Sequence, residues 1–346
     1  MFLLKLFSNN LYDYIFKMTK PARLSKYLDN KFSFNSSLEE FKKVQKILID
    51  QENFRQRLDN FLLFFCKGVP KSHIYQIIRS GQVRVNSGRV SQTYKLKIGD
   101  IVRIPAVKIS KKEIIYIPKI SLKILFEDDN LLIINKPHGL AVHGGSGINY
   151  GVIEQVRFHF KNKFFELVHR LDRDTSGILM IAKKRSALTN LQKQIRDGLI
   201  EKRYLTLAYG NWVNNRQHIK FPLYKFINSD GERRVRVDPN GLYSHSVFNL
   251  VKKYGDFSLI DAEIKTGRTH QIRVHLSELG FPILGDQKYG NFVINKKYSS
   301  LKFEKKSFKR MFLHAYKLSF KHPESNKKII IESSLPEECK NFLKTF

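Results

Sequence analysis

The sequence predicts an α+β protein in two parts. One is a small basic unit of two helices against a short sheet, and the other a larger unit on a mixed, mainly antiparallel sheet with a central cleft. Three observations carry this. Short β-rich apolar runs, each ending in a turn packed with charged or hydroxyl residues, recur through residues 122–346. Helical stretches are fewer there, at Ser186–Arg196, Thr269–Glu278 and Glu337–Lys344. Charge density also changes along the chain: residues 51–105 hold ten basic side chains against three acidic, and residues 122–346 hold 39 against 22. Between these blocks, residues 106–121 carry Lys108, Lys111, Lys112 and Lys119 and end near Pro118, as a linker would.

The chain has 346 residues with 62 Lys and Arg against 31 Asp and Glu, a formal charge of +31. Hydrophobic residues make up 42%, enough for a core, so the charge sits on a folded protein whose natural partner is a polyanion. Nucleic acid and an anionic membrane surface attract such a protein for the same reason, and composition does not separate them. No apolar run approaches the ~18 residues of a membrane helix, so a soluble protein is expected. Cys66 and Cys339 lie far apart in sequence, which argues against a disulfide framework and a cysteine-rich zinc site and for a reducing, cytoplasmic setting. Residues 1–50 show no sustained period before about Leu38 and are expected to be a poorly ordered extension. Asn9, Asn10 and Asp13 interrupt the apolar stretch of Met1–Lys20, making it a poor secretory signal. No internal repeat is visible.

In the small unit, Leu58, Phe61, Leu62 and Phe65 have helical spacing. Ser72 is placed to cap a second helix, His73–Arg79, with Ile74, Ile77 and Ile78 on its apolar face and Gly81 at its end. Val83 and Val85 alternate with polar residues before a turn at Ser87 and Gly88. A return strand is expected near Arg89 and Val90, and a closing strand over Ile101–Ile104. Lys71, Arg79, Arg84 and Arg89 are then positioned to meet a phosphate backbone. A merely solvated face is the usual reading of such charges, but the near absence of acidic partners favours binding. The passage KGVPKSHIYQIIRSGQVRVN, followed by YKLKIGDIVRIP, resembles the S4 RNA-binding module. That resemblance covers about 50 residues and implies an RNA partner.

In the larger unit, four segments carry the polar turns: EDDNLLIINKPHGLAVHGG, ELVHRLDRDTSGILMIAKK, EKRYLTLAYG and IKTGRTHQIRVHLSELGFPILGD. In the second, Leu167 and Val168 end a strand, Thr175, Ser176 and Gly177 form a turn and Ile178–Ala182 the next strand. His169, Arg170, Asp172, Arg173 and Asp174 therefore sit on a loop between two strands, where a rigid scaffold presents them to a ligand. Asp172 lies between Arg170 and Arg173, and nearby positive charge favours a charged carboxylate, a possible nucleophile or base. From spacing alone, a turn aspartate bonding Thr175 and Ser176 fits better. His169 reads equally as a buried histidine, and the arginines as phosphate contacts.

HRLDRDTSG, with INKPHGLAVHGG before it and TGRTHQIRVHLSELGFPILGD after it, resembles the pseudouridine synthase family, in the branch marked by a His-Arg-Leu-Asp loop. The resemblance runs over nearly all of residues 122–335. With the small module in front, it points to the branch that modifies large-subunit (23S) ribosomal RNA. It implies the family's fold and cleft, with no cofactor and no metal. It also implies that Asp172 is the catalytic aspartate and that Arg268 is the arginine paired with it. Tyr204 is implied to stack on the target base, Ile272 to pack against that base, and Arg170 to enter the RNA helix in place of the extruded nucleotide. His169, Lys71, Arg79 and Arg84 are expected to contact substrate RNA. Asn291–Arg310 is Lys-rich and matches nothing in the pattern. A monomer is expected.

Isomerising a uridine needs no oxidant and no imported group, which fits a sequence without a dinucleotide fingerprint or a phosphate-binding glycine loop. The rival from another class is a non-catalytic RNA-binding or ribosome-assembly protein that has kept the fold. Asp172, Arg268 and Tyr204 separate the two, since a binder has no need of that trio. A third reading, a base-excising glycosylase, would release uracil and so change the RNA's mass.

Overall fold

The structure, a computed structural model, describes residues 43–66, 68–107, 122–145, 150–160, 164–300 and 307–346. Most of the expected N-terminal extension and linker lies outside the described residues, as do residues 301–306 of the Lys-rich stretch. The chain divides into two compact units near residue 113.

The first unit contains β1 (Gln45–Leu48), α1 (Leu58–Phe65), α2 (Lys71–Arg79), β2 (Arg84–Val85) and β3 (Ile101–Ile104). The strands form one antiparallel sheet in the order β1-β3-β2. Leu58, Phe61 and Leu62 of α1 and Ile74, Ile77 and Ile78 of α2 close over Val85, Val102 and Ile104. Asp100 ties the turn into β3 by accepting from Asn86 Nδ2 (2.8 Å), Tyr94 Oη (3.0 Å) and the Lys97 amide (2.9 Å).

Three details differ from expectation. β1 belongs to the stretch read as an extension; four half-exposed residues carry no readable period, and pairing with β3 is what holds them. The second helix starts at Lys71 after extended Pro70, whose ring fixes φ at a helix-entry value, so Ser72 is inside the helix and not its cap. No return strand forms at Arg89 and Val90. Val85 and Gly88 instead exchange backbone hydrogen bonds around left-handed Asn86 and Ser87, after which the chain leaves the sheet. The register sets Lys46 beside Arg103 and Arg103 beside Arg84, a row of three cations on one face.

The second unit runs β4 (Lys123–Glu127), β5 (Leu131–Lys136), α3 (Val152–Phe160), β6 (Glu166–Leu167), β7 (Ser176–Ala182), α4 (Arg185–Arg196), β8 (Glu201–Tyr209), β9 (Arg216–Ile219), β10 (Leu223–Ile227), β11 (Arg233–Val237), β12 (Ser246–Tyr254), β13 (Phe257–Ile264), α5 (Gln271–Glu278), α6 (Phe292–Ser300), β14 (Leu313–Lys321), β15 (Lys328–Glu332) and α7 (Glu337–Leu343). Ten strands form one sheet, β4-β5-β7-β14-β8-β13-β12-β9, with β15 paired to β14 and β6 to β7. The pair β7 and β14 is parallel and the others are antiparallel, which is the mixed sheet the sequence predicts. β10 and β11 form a separate hairpin.

β5 and β7 are apolar on consecutive residues because both faces of the sheet are covered. Leu132, Ile134, Leu179 and Ile181 face one way, into the core that receives α3 and α5. Leu131, Ile133, Ile178 and Met180 face the other, against Ala187 and Leu191 of α4. β7 begins at Ser176, two residues earlier than its apolar run suggests, because Ser176 and Gly177 already pair with His314 and Ala315 of β14. Gly177 has φ 113°, and a Cβ there would lie 2.2 Å from the Ala315 carbonyl oxygen. Glycine is what lets β14 enter beside β7 and so places the loop that precedes it.

Candidate active site

A cleft of about 1110 Å³ opens in the second unit, walled by the loop 169–175 between β6 and β7, by β8, by the segment from β13 into α5 and by the β10–β11 hairpin. Its floor is the core itself: Leu171, Tyr204, Ile272 and Leu313 line the cleft and belong to the main hydrophobic cluster. Tyr204 stands on β8 directly between Ala262 of β13 and Ala315 of β14. Opposed residues share a face of the sheet, so two methyl groups flank the ring and leave space above it. Burial, reinforced by the charge of Asp172, pushes the Tyr204 phenol well above its ordinary value, so it stays protonated.

The loop 169–175 is pinned from several sides. Leu171 is buried. The Thr175 amide donates to the Asp172 carbonyl at 3.2 Å. Lys136, at the end of β5 and fully buried, donates through Nζ to the carbonyls of Pro137 (2.8 Å), Leu140 (2.7 Å) and Arg173 (2.9 Å). Burial pushes that ammonium down to about 7. His169 accepts the Met180 amide on Nε2 at 3.1 Å, and burial pushes its imidazole down to about 3, so it is a neutral acceptor fastening the loop to β7.

Asp172 directs its carboxylate into the cleft with 28% of its side chain exposed, and Oδ2 lies 3.0 Å from Arg273 Nη1. Among the described residues the carboxylate does not cap the Thr175 or Ser176 amide, as the turn reading would require. Arg273, on the first turn of α5, is 4% exposed and gives Nε and Nη2 to the two oxygens of Asp286 (2.7 and 2.8 Å). Burial opposes this charge, but the bonds to Asp286 and then Asp172 outweigh it and hold the guanidinium above its ordinary value. Burial would likewise raise Asp286, yet Arg273 and the amides of Lys288 and Tyr289 bring it below the usual carboxylate range.

The arginine paired with Asp172 is therefore Arg273, and Arg268 is not. Arg268 precedes α5, lines the cleft and donates through Nε to the Tyr243 carbonyl at 2.9 Å. The helix begins only at Gln271, which turns Arg273 inward and leaves Arg268 at the rim. Arg273, Asp286, Lys136 and His270 went unnoticed in the sequence. The available signal was a helix apolar or buried on every side, QIRVHL, in which a charged residue needs a partner such as the Asp of FPILGD.

Exposed Arg170, Arg173, Lys225, Arg233 and Arg268 line the cleft, with Lys202 deeper, where burial lowers its ammonium. In the first unit, Arg84 lines a groove of about 670 Å³ with Lys46 and Arg103, its guanidinium held by the Gly81 and Ser87 carbonyls. Lys71 is not in that groove: it opens α2, with Nζ 5.7 Å from the Tyr75 ring centre, whereas Arg79 closes the helix next to groove-lining Ser80. Among the described residues no helix is long and apolar enough to cross a membrane, and no cluster of His, Cys, Asp and Glu is arranged to hold a metal.

Comparison with known proteins places this geometry. Residues 130–278 match the model of the RNA pseudouridylate synthase family, and residues 56–102 match the S4 domain. The chain is 46% identical over 308 residues to ribosomal large subunit pseudouridine synthase C of Haemophilus influenzae, covering 87% of this chain and 94% of that protein. The protein of the same name from Escherichia coli is 43% identical, with 87% and 96% covered. Among solved structures, human RNA pseudouridylate synthase domain containing 4 superposes with a TM-score of 0.53 at 25% identity, over 64% of this chain and 92% of that one. An aspartate open to a cationic cleft, in a chain that also carries an S4 domain earlier in its sequence, is thus held on a scaffold whose sequence relatives are synthases along almost their whole length, and the chain belongs to the RNA pseudouridylate synthase family.

Proposed function

We propose that the chain converts uridine to pseudouridine in large-subunit ribosomal RNA, with Asp172 as the catalytic carboxylate. The observation that carries this is the placement of Asp172: bound by Arg273 on one oxygen, open to the cleft, and facing a floor made by Tyr204 and Ile272. The reaction breaks the bond from ribose C1′ to uracil N1 and forms one from C1′ to C5. The proton on C5 leaves and N1 regains one, so the formula is unchanged. One carboxylate suffices, either by attacking C1′ or by taking the C2′ proton to give a glycal. Glycoside hydrolysis, by contrast, uses a second carboxylate to activate water. The buried phenol of Tyr204 and the side chain of Ile272 form a dry surface that retains the loosened uracil.

A stacked uridine must first be everted, at ~ a few kcal/mol. Arg170, exposed at the mouth, is suited to fill the gap left behind. His169 serves by fixing the loop. The row of Lys46, Arg103 and Arg84, with Lys71 and Arg79 on α2, supplies phosphate contacts in the S4 unit. We read the enzyme as a monomer acting in the cytoplasm, where ribosomal RNA is and where the free, buried thiols of Cys66 and Cys339 stay reduced. Asp172→Ala is expected to abolish tritium release from RNA carrying uridine labelled at C5 while leaving RNA binding within about threefold, as expected of a group outside the phosphate contacts. Turnover persisting in that variant would remove Asp172 from the reaction.

A further inference from the structure

His270 occupies an unusual position. It precedes the first turn of α5 with φ 55° and ψ 20°, a left-handed conformation that only a few per cent of non-glycine residues adopt, with Asn, Asp and His over-represented among them. Side-chain contacts hold it there. Its Nδ1 lies 2.8 Å from Tyr289 Oη, and the same oxygen accepts the Val235 amide at 2.9 Å. Its Nε2 lies 3.8 Å from Asp172 Oδ2. The groups around the ring are Asp172, Arg273, Asp286, Lys288 and Tyr289, and burial keeps the imidazole neutral.

These contacts favour one tautomer. The Val235 amide can only donate, so it takes one lone pair of Oη, and the phenol hydrogen is available to Nδ1. With Nδ1 accepting that hydrogen, the ring proton is on Nε2, the nitrogen nearest the carboxylate. The opposite tautomer would aim a nitrogen lone pair at Asp172. Arg273 Nη1 bonds the same oxygen, Oδ2, at 3.0 Å, whereas Nε2 at 3.8 Å stands just outside hydrogen-bond distance. A second donor on that oxygen would fix the plane of the carboxylate and leave Oδ1 to meet the nucleoside.

We propose that His270 is a positioning residue for Asp172, held by Tyr289 as the Nε2–H tautomer so that Oδ1 is the oxygen presented to the substrate. The inference rests on Asp172 being the reacting group. The 3.8 Å separation closes when the nucleoside fills the cleft, as hydrogen bonds in empty active sites commonly do.

The test uses the full chain. His270→Asn keeps a residue that tolerates the left-handed backbone and removes the imidazole. The single-turnover rate on saturating RNA is expected to fall about 10- to 100-fold, the scale of a slightly misplaced reacting group, with the RNA dissociation constant within about twofold. Tyr289→Phe keeps the ring under Arg273 and removes only the oxygen, and it is expected to lower the same rate by a smaller factor. Nitrogen NMR of the histidine ring gives a readout independent of turnover: protonated Nε2 and bare Nδ1 in the parent, and a tautomer mixture in Tyr289→Phe. A parent ring protonated on Nδ1, or a His270→Asn rate within twofold of the parent, overturns the proposal. Should His270→Asn not fold, Tyr289→Phe and the NMR signature decide. Failure of the Asp172→Ala test removes the catalytic reading but leaves the tautomer measurement standing, so the two failures are distinguishable.

Discussion

Arg273 has one guanidinium and two carboxylate neighbours, and with 4% of its side chain exposed it cannot fall back on water. Replacing it with Met leaves Asp286, 1% exposed, as an uncompensated buried charge, a change that costs about 3–5 kcal/mol. Arg273→Met is therefore expected to lower urea stability by that amount and to lose turnover. Arg268→Ala, at the rim, is expected to change stability by no more than ~0.5 kcal/mol and to weaken mainly RNA binding. Equal destabilisation by both would contradict the pairing. This contrast also marks what could be read from residues alone. The dense polar loop drew notice to Asp172, but its spacing fitted a turn aspartate better, and only the resemblance carried by HRLDRDTSG implied a catalytic role. The choice between Arg268 and Arg273 could not be read there, because it depends on where α5 begins, and left-handed His270 sets that boundary without a side-chain cap.

At the scale of elements, the packing of β7 against β14 decides where the cleft loop 169–175 ends. Gly177→Ala would place a Cβ 2.2 Å from the Ala315 carbonyl oxygen in a backbone region that L residues avoid. A loss of several kcal/mol is expected, beyond the ~1–3 kcal/mol of backbone strain alone, read as a drop in Tm. An unchanged Tm would mean that β14 does not enter beside β7 at this register. Helices with a clear apolar stripe were legible to within two residues: Ser186–Arg196 is observed as Arg185–Arg196, and Glu337–Lys344 as Glu337–Leu343. α6 was not, because its buried residues are Asn295 and Tyr298, and no apolar period marks it. Short β1 and β6 exist only through their partners, and pairing is not written in the residues of one strand.

Among the described residues of the second unit, half-buried His169 and buried His275 and His314 are kept neutral: burial pushes His169 down to about 3 and His275 and His314 to about 4. The unfolded chain binds protons at these groups near pH ~6.5, and the folded chain does not until the pH is far lower. Between those values the unfolded state holds more protons, so stability rises with pH and is lost as pH falls from ~6.5 toward 4. Thermal unfolding followed from pH 7 to pH 5 is expected to show a steadily falling Tm, and a constant Tm would mean that these imidazoles are not sealed from protons.

In the small unit, the neighbouring side chains of Lys46, Arg103 and Arg84 repel one another while the groove is empty, a local frustration written into adjacent strands. A polyanion lying along that row relieves it. Any polyanion bound there would be thermodynamically linked to the folding of this sheet, each favouring the other.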